Sequence, residues 1–420
     1  MKRILTVFCY LGLATAGFAQ EQEVELTPLE SLEQKTQTIE ESLKKMQKFK
    51  VSGYVQTQYQ WGEQDASLKV GAGNSDPEES FDRLGIRRGR IKFTYETGIA
   101  SGVFQLDMTE KGVGLKDAYL GVKDPWVGTS SLKAGVFDRP FGNEIGYSSS
   151  RRESPERSTI FQTLFPEERD LGAMLVLQAP KTSPLNFLKL EAGLFAGNGI
   201  KIETDNRRDF IGHLSADKKI GSNFQLAGGV SYYNGGVYQG TDSVYSMTNN
   251  AFELDDVDNK GEFAKREYCG FDLQVKATSA LGLTHLRAEY LFGEQPGSAS
   301  NNKSPNAAAL PSTHTYRRNF NGGYVIFIQE LGKLPLSAVV KYDWYDPNTK
   351  ITKNDIGLNG TTSADLSQNT LGFGMLWRVN NNIRLQAYYE INSNETSQNL
   401  PAFVEDVKND VFTLRLQYKF

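Results

Sequence analysis

Val411-Phe412-Thr413-Leu414-Arg415-Leu416-Gln417-Tyr418-Lys419-Phe420 closes the chain on a strict two-residue rhythm. Phe412, Leu414, Leu416, Tyr418 and Phe420 make an apolar row, with Thr413, Arg415, Gln417 and Lys419 opposite. Successive side chains point to opposite faces of a strand, so this is a strand with one greasy and one wet face. Chain ends are ordinarily polar and frayed. An apolar row running to the last residue predicts that the final strand seals a sheet against the first.

The rhythm extends back to Phe49. There Phe49, Val51, Val55, Tyr59 and Trp61 alternate with Lys50, Ser52, Gln56, Gln58 and Gln60. Leu286, Ala288, Tyr290 and Phe292 face away from Arg287 and Glu289, and Ala338, Val340, Tyr342 and Trp344 oppose Lys341 and Asp343. Sixteen such strands are read near 49–61, 84–98, 101–110, 115–123, 131–137, 170–179, 186–197, 208–218, 223–233, 267–278, 283–293, 317–331, 336–346, 369–379, 383–393 and 409–420. The count is open by two, because 131–137 and Tyr324–Ile328 are ambiguous.

Alternation also fits an antiparallel sandwich in water. The connections separate the two. Short ones with turn chemistry (123–130, 180–184, 219–223, 331–335, 380–382) alternate with long polar ones (62–83, 138–170, 234–266, 293–316, 346–368, 393–408). Tight turns on one rim and large loops on the other mark a membrane barrel. Trp61, Trp344 and Trp377 lie toward strand ends and Trp126 in a turn, as interfacial girdles require. The fold expected is all-β: a transmembrane antiparallel β-barrel of about 16 strands over 49–420, preceded by a short coiled-coil helix. Sixteen strands enclose a lumen too wide for side chains to fill, so water fills it. A water-filled barrel across a membrane is a pore.

Composition agrees. The 420 residues are 39% hydrophobic and 23% charged, with mean hydropathy −0.45. Beyond the N-terminus no run of ~18 apolar residues exists, which excludes helical membrane spans. Residues 1–19 read as a secretory signal peptide: Lys2 and Arg3 lead an apolar stretch, and Gly17-Phe18-Ala19 precedes the expected cleavage point. Cys9 falls inside it, leaving Cys269 as the lone mature cysteine and no internal disulfide. Residues 20–48 have no glycine, and Leu29, Leu32, Thr36, Ile39, Leu43 and Met46 follow heptad spacing. This is read as a periplasmic coiled-coil helix that helps subunits assemble; a solvated or frayed helix is the other reading. The net charge of −4 excludes a basic field for nucleic acid.

On the second strand Gly89, Ile91, Phe93 and Tyr95 are the outward set, so Arg88, Arg90 and Lys92 face the lumen at ~7 Å intervals, with Arg87 near the outer end. Such a ladder passes an anion from site to site, and guanidinium forks suit phosphate oxygens. Lys133, Arg287, Lys341, Arg384, Arg415 and Lys419 also face inward, but so do Glu96, Asp107, Asp117, Glu289, Asp343 and Glu390. Mixed charges leave an unselective diffusion pore open. The 138–170 loop carries Arg139, Arg151, Arg152, Arg157 and Arg169 beside Glu144, Glu153, Glu156, Glu167 and Glu168, together with apolar Ile160, Phe161, Leu164 and Phe165. Those anchors suggest a loop folded inward that narrows the bore; packing on a neighbouring subunit is the competing reading.

Arg87-Arg88-Gly89-Arg90, the run Lys133 to Gly142 (Lys-Ala-Gly-Val-Phe-Asp-Arg-Pro-Phe-Gly), Glu168-Arg169-Asp170-Leu171-Gly172 and Lys341-Tyr342-Asp343-Trp344-Tyr345-Asp346-Pro347-Asn348 resemble the phosphate-selective porin O and P family of Gram-negative outer membranes. The resemblance spans about 49–420 and is strongest over 84–178. It implies a homotrimeric outer-membrane channel with a constricting third loop. It also implies an anion path on Arg87, Arg88, Arg90 and Lys92, with Arg139 and Arg169 as loop candidates and Arg151, Arg152 and Arg157 in the constriction loop. The partners it implies are small phosphate-like anions and outer-membrane lipid. The leading helix and the acids beside the bases depart from the family pattern.

Competing chemistry is thin. His213, His285 and His314 lie in separate segments without metal-ligand spacing, so no metal, cofactor or enzymatic reaction is expected. Asp256, Asp258, Gly261 and Glu267 match a calcium loop in part, but Lys260 takes a ligand position and no helices flank it. A non-conducting scaffold or adhesin barrel remains the alternative to a pore.

Overall fold

The computed structural model describes residues 27–303 and 313–420. It divides into two units, Met1–Gln47 and Lys48–Phe420. The signal peptide expected over 1–19, and the expected start of the helical segment over 20–26, lie outside the described residues. In the first unit, helix α1 (Pro28–Gln47) begins on a proline, which fits a first turn whose N–H groups have no helical acceptor, and carries Lys44 and Lys45 in its last turn, where the helix dipole favours cations. Leu29, Leu32, Ile39, Leu43 and Met46 of the heptad seam are 51–69% exposed.

The second unit is built from β1 (Phe49–Gly62), β2 (Phe81–Thr97), β3 (Ala100–Thr109), β4 (Gly112–Lys123), β5 (Ser131–Asp138), β6 (Arg169–Gln178), β7 (Leu188–Phe195), β8 (Asp209–Ile220) and β9 (Phe224–Tyr238). A small hairpin of β10 (Val244–Thr248) and β11 (Ala251–Asp256) follows. Then come β12 (Phe263–Ser279), β13 (Gly282–Gly297), β14 (Thr315–Glu330), β15 (Leu336–Asp346), β16 (Gln368–Arg378), β17 (Ile383–Asn394) and β18 (Val411–Lys419). β9 pairs directly with β12, so the hairpin stands outside the wall and joins it by a short parallel contact with β14. Sixteen antiparallel strands remain, each matching one read from the sequence. β18 pairs with β1 from Lys419 opposite Tyr54 to Val411 opposite Gly62, and the sheet closes. Closure removes the sandwich reading.

The burial is inverted relative to a water-soluble protein. The polar row of β1 (Gln56, Gln58, Gln60) and of β18 (Thr413, Arg415, Gln417) is buried, whereas Leu414, Leu416 and Tyr418 are exposed. β13 repeats this, with Arg287 and Glu289 buried and Tyr290 and Phe292 exposed. Apolar-out and polar-in is the arrangement a lipid solvent demands. Trp344 stacks on Tyr290 and Tyr342 at centroid distances of 6.3 and 6.0 Å on the outer face.

One rim carries the tight turns (98–99, 221–223, 280–281, 379–382) and the other the long loops; on the long-loop rim only 110–111 is short. There the hairpin packs Met247 against Ile351, Ile356 and Leu366, with Phe252, Leu400 and Phe403 around them. This small external core had no counterpart in the sequence reading. The partial calcium pattern does not form a loop, since Glu267 lies on β12 and pairs with Lys265 and Tyr232.

Candidate functional site: a loop inside the barrel

The 139–168 connection turns into the lumen immediately after β5. Gly142 makes the turn possible. Its φ is +59°, and any Cβ there would run into the Glu289 carboxylate. That carboxylate accepts the backbone N–H of Asn143 (2.9 Å) and of Glu144 (2.6 Å), and the Tyr324 hydroxyl (2.6 Å). Further along, Asp343 accepts the Thr159 N–H at 3.1 Å. Wall carboxylates thus hold the loop's backbone.

Helix α2 (Thr159–Leu164) and Phe165 just after it present the four apolar anchors, all 0–1% exposed. Phe161 meets Tyr324 at 6.3 Å, and Phe165 sits among Phe141 (5.0 Å), Tyr268 (5.7 Å) and Tyr233 (6.1 Å). These tyrosines point inward from β14, β12 and β9, so the anchors bury against the chain's own wall. That outcome displaces the reading in which they pack on a neighbouring subunit.

The loop's other flank meets β1, β2 and β18 through charge. Pairing of β1 with β2 slips between Gln56 and Thr57, leaving Arg87 as the extra residue of a β-bulge. A bulge re-aims the side chain it carries. Arg87 therefore turns inward beside Arg88. Arg87 Nε lies 2.8 Å from Glu156 Oε1, Arg88 Nη2 lies 2.8 Å from Oε2, and Arg415 Nη2 lies 3.0 Å from Oε1. Burial alone would raise the Glu156 carboxyl, but the guanidiniums of Arg87, Arg88 and Arg415 hold it well below the usual carboxylate range. Three cations share one anion.

The remaining expected residues divide into two groups. Arg90 pairs with Asp107 at 3.1 Å. Arg139, 2% exposed, faces Asp170 at 3.3 Å and lies over the Phe165 ring at 5.7 Å. Arg169 is shared among Asp117 (3.0 Å), Asp138 (2.8 Å) and Glu168 (3.0 Å). Arg157 staples the loop to itself, donating to the Glu144 and Ile145 carbonyls at 2.9 and 2.8 Å and pairing with Glu168. Burial opposes ionisation of Glu168, yet Arg157, Lys116 and Arg169 keep it well below its ordinary value. By contrast, Lys92 and Lys133 form no ion pair among the described residues, and exposed Arg151 only stacks on Tyr147 at 5.3 Å. Along β2 the expected cations Arg88 and Arg90 thus stand with acids as partners, in keeping with the mixed lumen charges read from the sequence, since a buried guanidinium without a partner is costly.

Below the loop lies a cavity of about 760 Å³ lined by Lys92, Lys133, Arg139, Arg151 and Lys276, with Asp117, Glu191, Asp217 and Asp272 among them. On its wall His213 Nε2 and Asp272 Oδ2 are 2.9 Å apart. A second cavity of about 300 Å³ shares Lys92, Asp117 and Asp138 and adds Tyr54, Arg90, Arg157 and Arg169. Glu156, Glu153 and Glu144, read from the sequence as loop acids without an assigned role, are ion-pair partners of basic residues on the barrel wall. They pair with Arg88, Arg287 and Lys341 respectively.

No protein-family profile and no curated protein matches the chain. Solved structures do. An anion-selective porin from Comamonas acidovorans aligns at TM-score 0.53 and 11% identity over 89% of this chain and 99% of that one. OmpF of Salmonella typhi aligns at 0.54 and 14% over 89% and 97%, and OprB of Pseudomonas putida at 0.54 and 11% over 92% and 97%. At these identities the likeness is one of fold, and the chain shares the fold of the outer-membrane porins.

Proposed function

We propose that this chain is an outer-membrane porin for passive diffusion of small hydrophilic solutes, with a preference for phosphate-like anions. A polar lumen wall, lipid-type outer face and aqueous cavities beside an inward loop support passage. A local excess of cations on the wall facing the loop carries the anion preference: Arg87, Arg88 and Arg415 converge on the single carboxylate of Glu156, and Lys92, Lys133 and Arg151 stand along the cavity below. A solute anion gains from each of these groups, while a cation gains from few.

In this reading, 139–168 is the constriction, with Arg151, Arg152 and Arg157 in it, and the path runs past Arg87, Arg88, Arg90, Lys92, Arg139 and Arg169. The 1–19 segment is cleaved on export, the tight-turn rim and both barrel termini face the periplasm, and three copies assemble with their 28–47 helices joined through the heptad seam. An unselective diffusion pore is the second reading, favoured by Asp117, Glu191, Asp217 and Asp272 on the cavity wall.

Phosphate block of chloride current in a planar bilayer tests the proposal. Replacing Arg88 and Arg90 together with alanine is expected to weaken that block about tenfold or more, as loss of two charge-assisted contacts implies. Unchanged block would remove the arginines from the path.

A further inference from the structure

Arg152 stands apart from every other arginine of the loop. It is 2% exposed, and its Nε, Nη1 and Nη2 find no hydrogen-bond acceptor among the described residues. Arg287, reaching in from β13, gives Nη2 to Glu153 and lies 4.2 Å over the Tyr147 ring, yet its Nε and Nη1 also lack an acceptor. Arg152 and Arg287 both line one small chamber between loop and wall, about 10 Å³ in volume, with Asn143, Glu144, Tyr147, Ser154, Tyr324 and Ile326.

Neither of the carboxylates near Arg152, Glu144 and Glu156, is left over for it. Glu144 lines the same chamber but is turned to Lys341 at 3.4 Å and to the Ser158 N–H at 3.1 Å. Glu156 is committed to Arg87, Arg88 and Arg415. Burial first, then the nearby charges of Arg157 and Arg88, press Arg152 well below its ordinary basicity, and Glu156 and Glu144 offset this only in part. A buried guanidinium without an acceptor is among the costliest states a side chain can take. An anion in the chamber removes that cost and engages orphaned donors of both residues.

Size sets the ligand class. The chamber has the room of one water molecule, and of a halide after small side-chain shifts; a tetrahedral oxyanion does not fit. We propose that Arg152 and Arg287 hold a resident chloride, which ties the inward loop to the wall of β13. The site is independent of the pore's preference among solutes, since its ligand stays in place while the permeating ion passes elsewhere.

Crystals of the full-length protein grown with bromide in place of chloride test this. An anomalous peak is expected between the Arg152 and Arg287 guanidiniums, absent in R152M. In solution, trypsin cleavage at Arg151 and Arg157 of the folded protein is expected to be about tenfold slower in sodium chloride than in sodium gluconate at equal ionic strength. R152M should abolish that difference. A wild-type map with no bromide peak, or equal cleavage rates in the two salts, would overturn the proposal even if R152M failed to fold. Phosphate block and its dependence on Arg88 and Arg90 would stand or fall separately.

Discussion

The inward loop is held by two walls of unlike chemistry. Toward β9, β12 and β14 it buries Phe161 and Phe165 among Tyr233, Tyr268 and Tyr324. Toward β1, β2 and β18 it offers Glu156 to three arginines and, through Ser149 Oγ and the Ser149 and Pro155 carbonyls, hydrogen bonds to Tyr54, Gln56 and Arg415. The aromatic wall supplies burial, which is strong and tolerant of direction. The charged wall supplies position and sign, because a buried ion pair contributes little net stability yet is costly to break on one side. In the proposed function, one wall keeps the loop in the barrel and the other decides which ions it favours.

That contrast can be broken. Truncating Phe161 and Phe165 together to alanine removes most of the aromatic dock, each at about 3–5 kcal/mol. The loop should leave the lumen, giving rapid tryptic cleavage at Arg151 and Arg157 and a several-fold larger unitary conductance. Glu156→Gln attacks the charged wall instead. It strands three guanidiniums at a cost of about 3–5 kcal/mol, and a reversal potential shifted further toward anions should accompany it. If Glu156→Gln opened the pore as much as the aromatic double variant, the division between the walls would be wrong.

pH sharpens the contrast further. Glu156 and Glu168 both have folded-state values depressed by their arginine partners. A depressed carboxyl contributes stability that is fully present above the unfolded value of about 4.3 and is lost as pH falls through the folded value. Anchorage through these two carboxylates should therefore hold from neutrality to roughly pH 4 and weaken only in stronger acid, which conductance recorded across pH 7 to 3 would show. The smallest effect belongs to an exposed pair near the ends of β1 and β2. Lys50 and Glu96 pair at 3.0 Å with side chains 63% and 50% exposed, so Lys50→Ala should change neither heat stability nor conductance.

Much of this architecture was legible along the chain because lipid outside and water inside write themselves as alternation. All sixteen wall strands follow from it, including the closing one. The β2 bulge was also written there. Leu84 and Ile86 are exposed at even positions, Ile91, Phe93 and Tyr95 continue at odd ones, and the parity changes at Arg87-Arg88. Arg87 enters the expected anion path through the family resemblance, and the bulge supplies the physical reason it shares a side with Arg88. The β10–β11 hairpin hid in a polar connection because five- and six-residue strands leave too short a rhythm. The ion pairs were out of reach for another reason. Glu156 and Arg415 lie 259 positions apart, and only the closed cylinder with its inward loop brings them together.

The measurement that bears most directly on the account is the reversal potential of the purified protein in a planar bilayer across a tenfold potassium chloride gradient. A stable conductance whose reversal potential lies toward that of chloride is the predicted result. A cation-preferring conductance would contradict the charged wall, and an absence of conductance would contradict the pore itself.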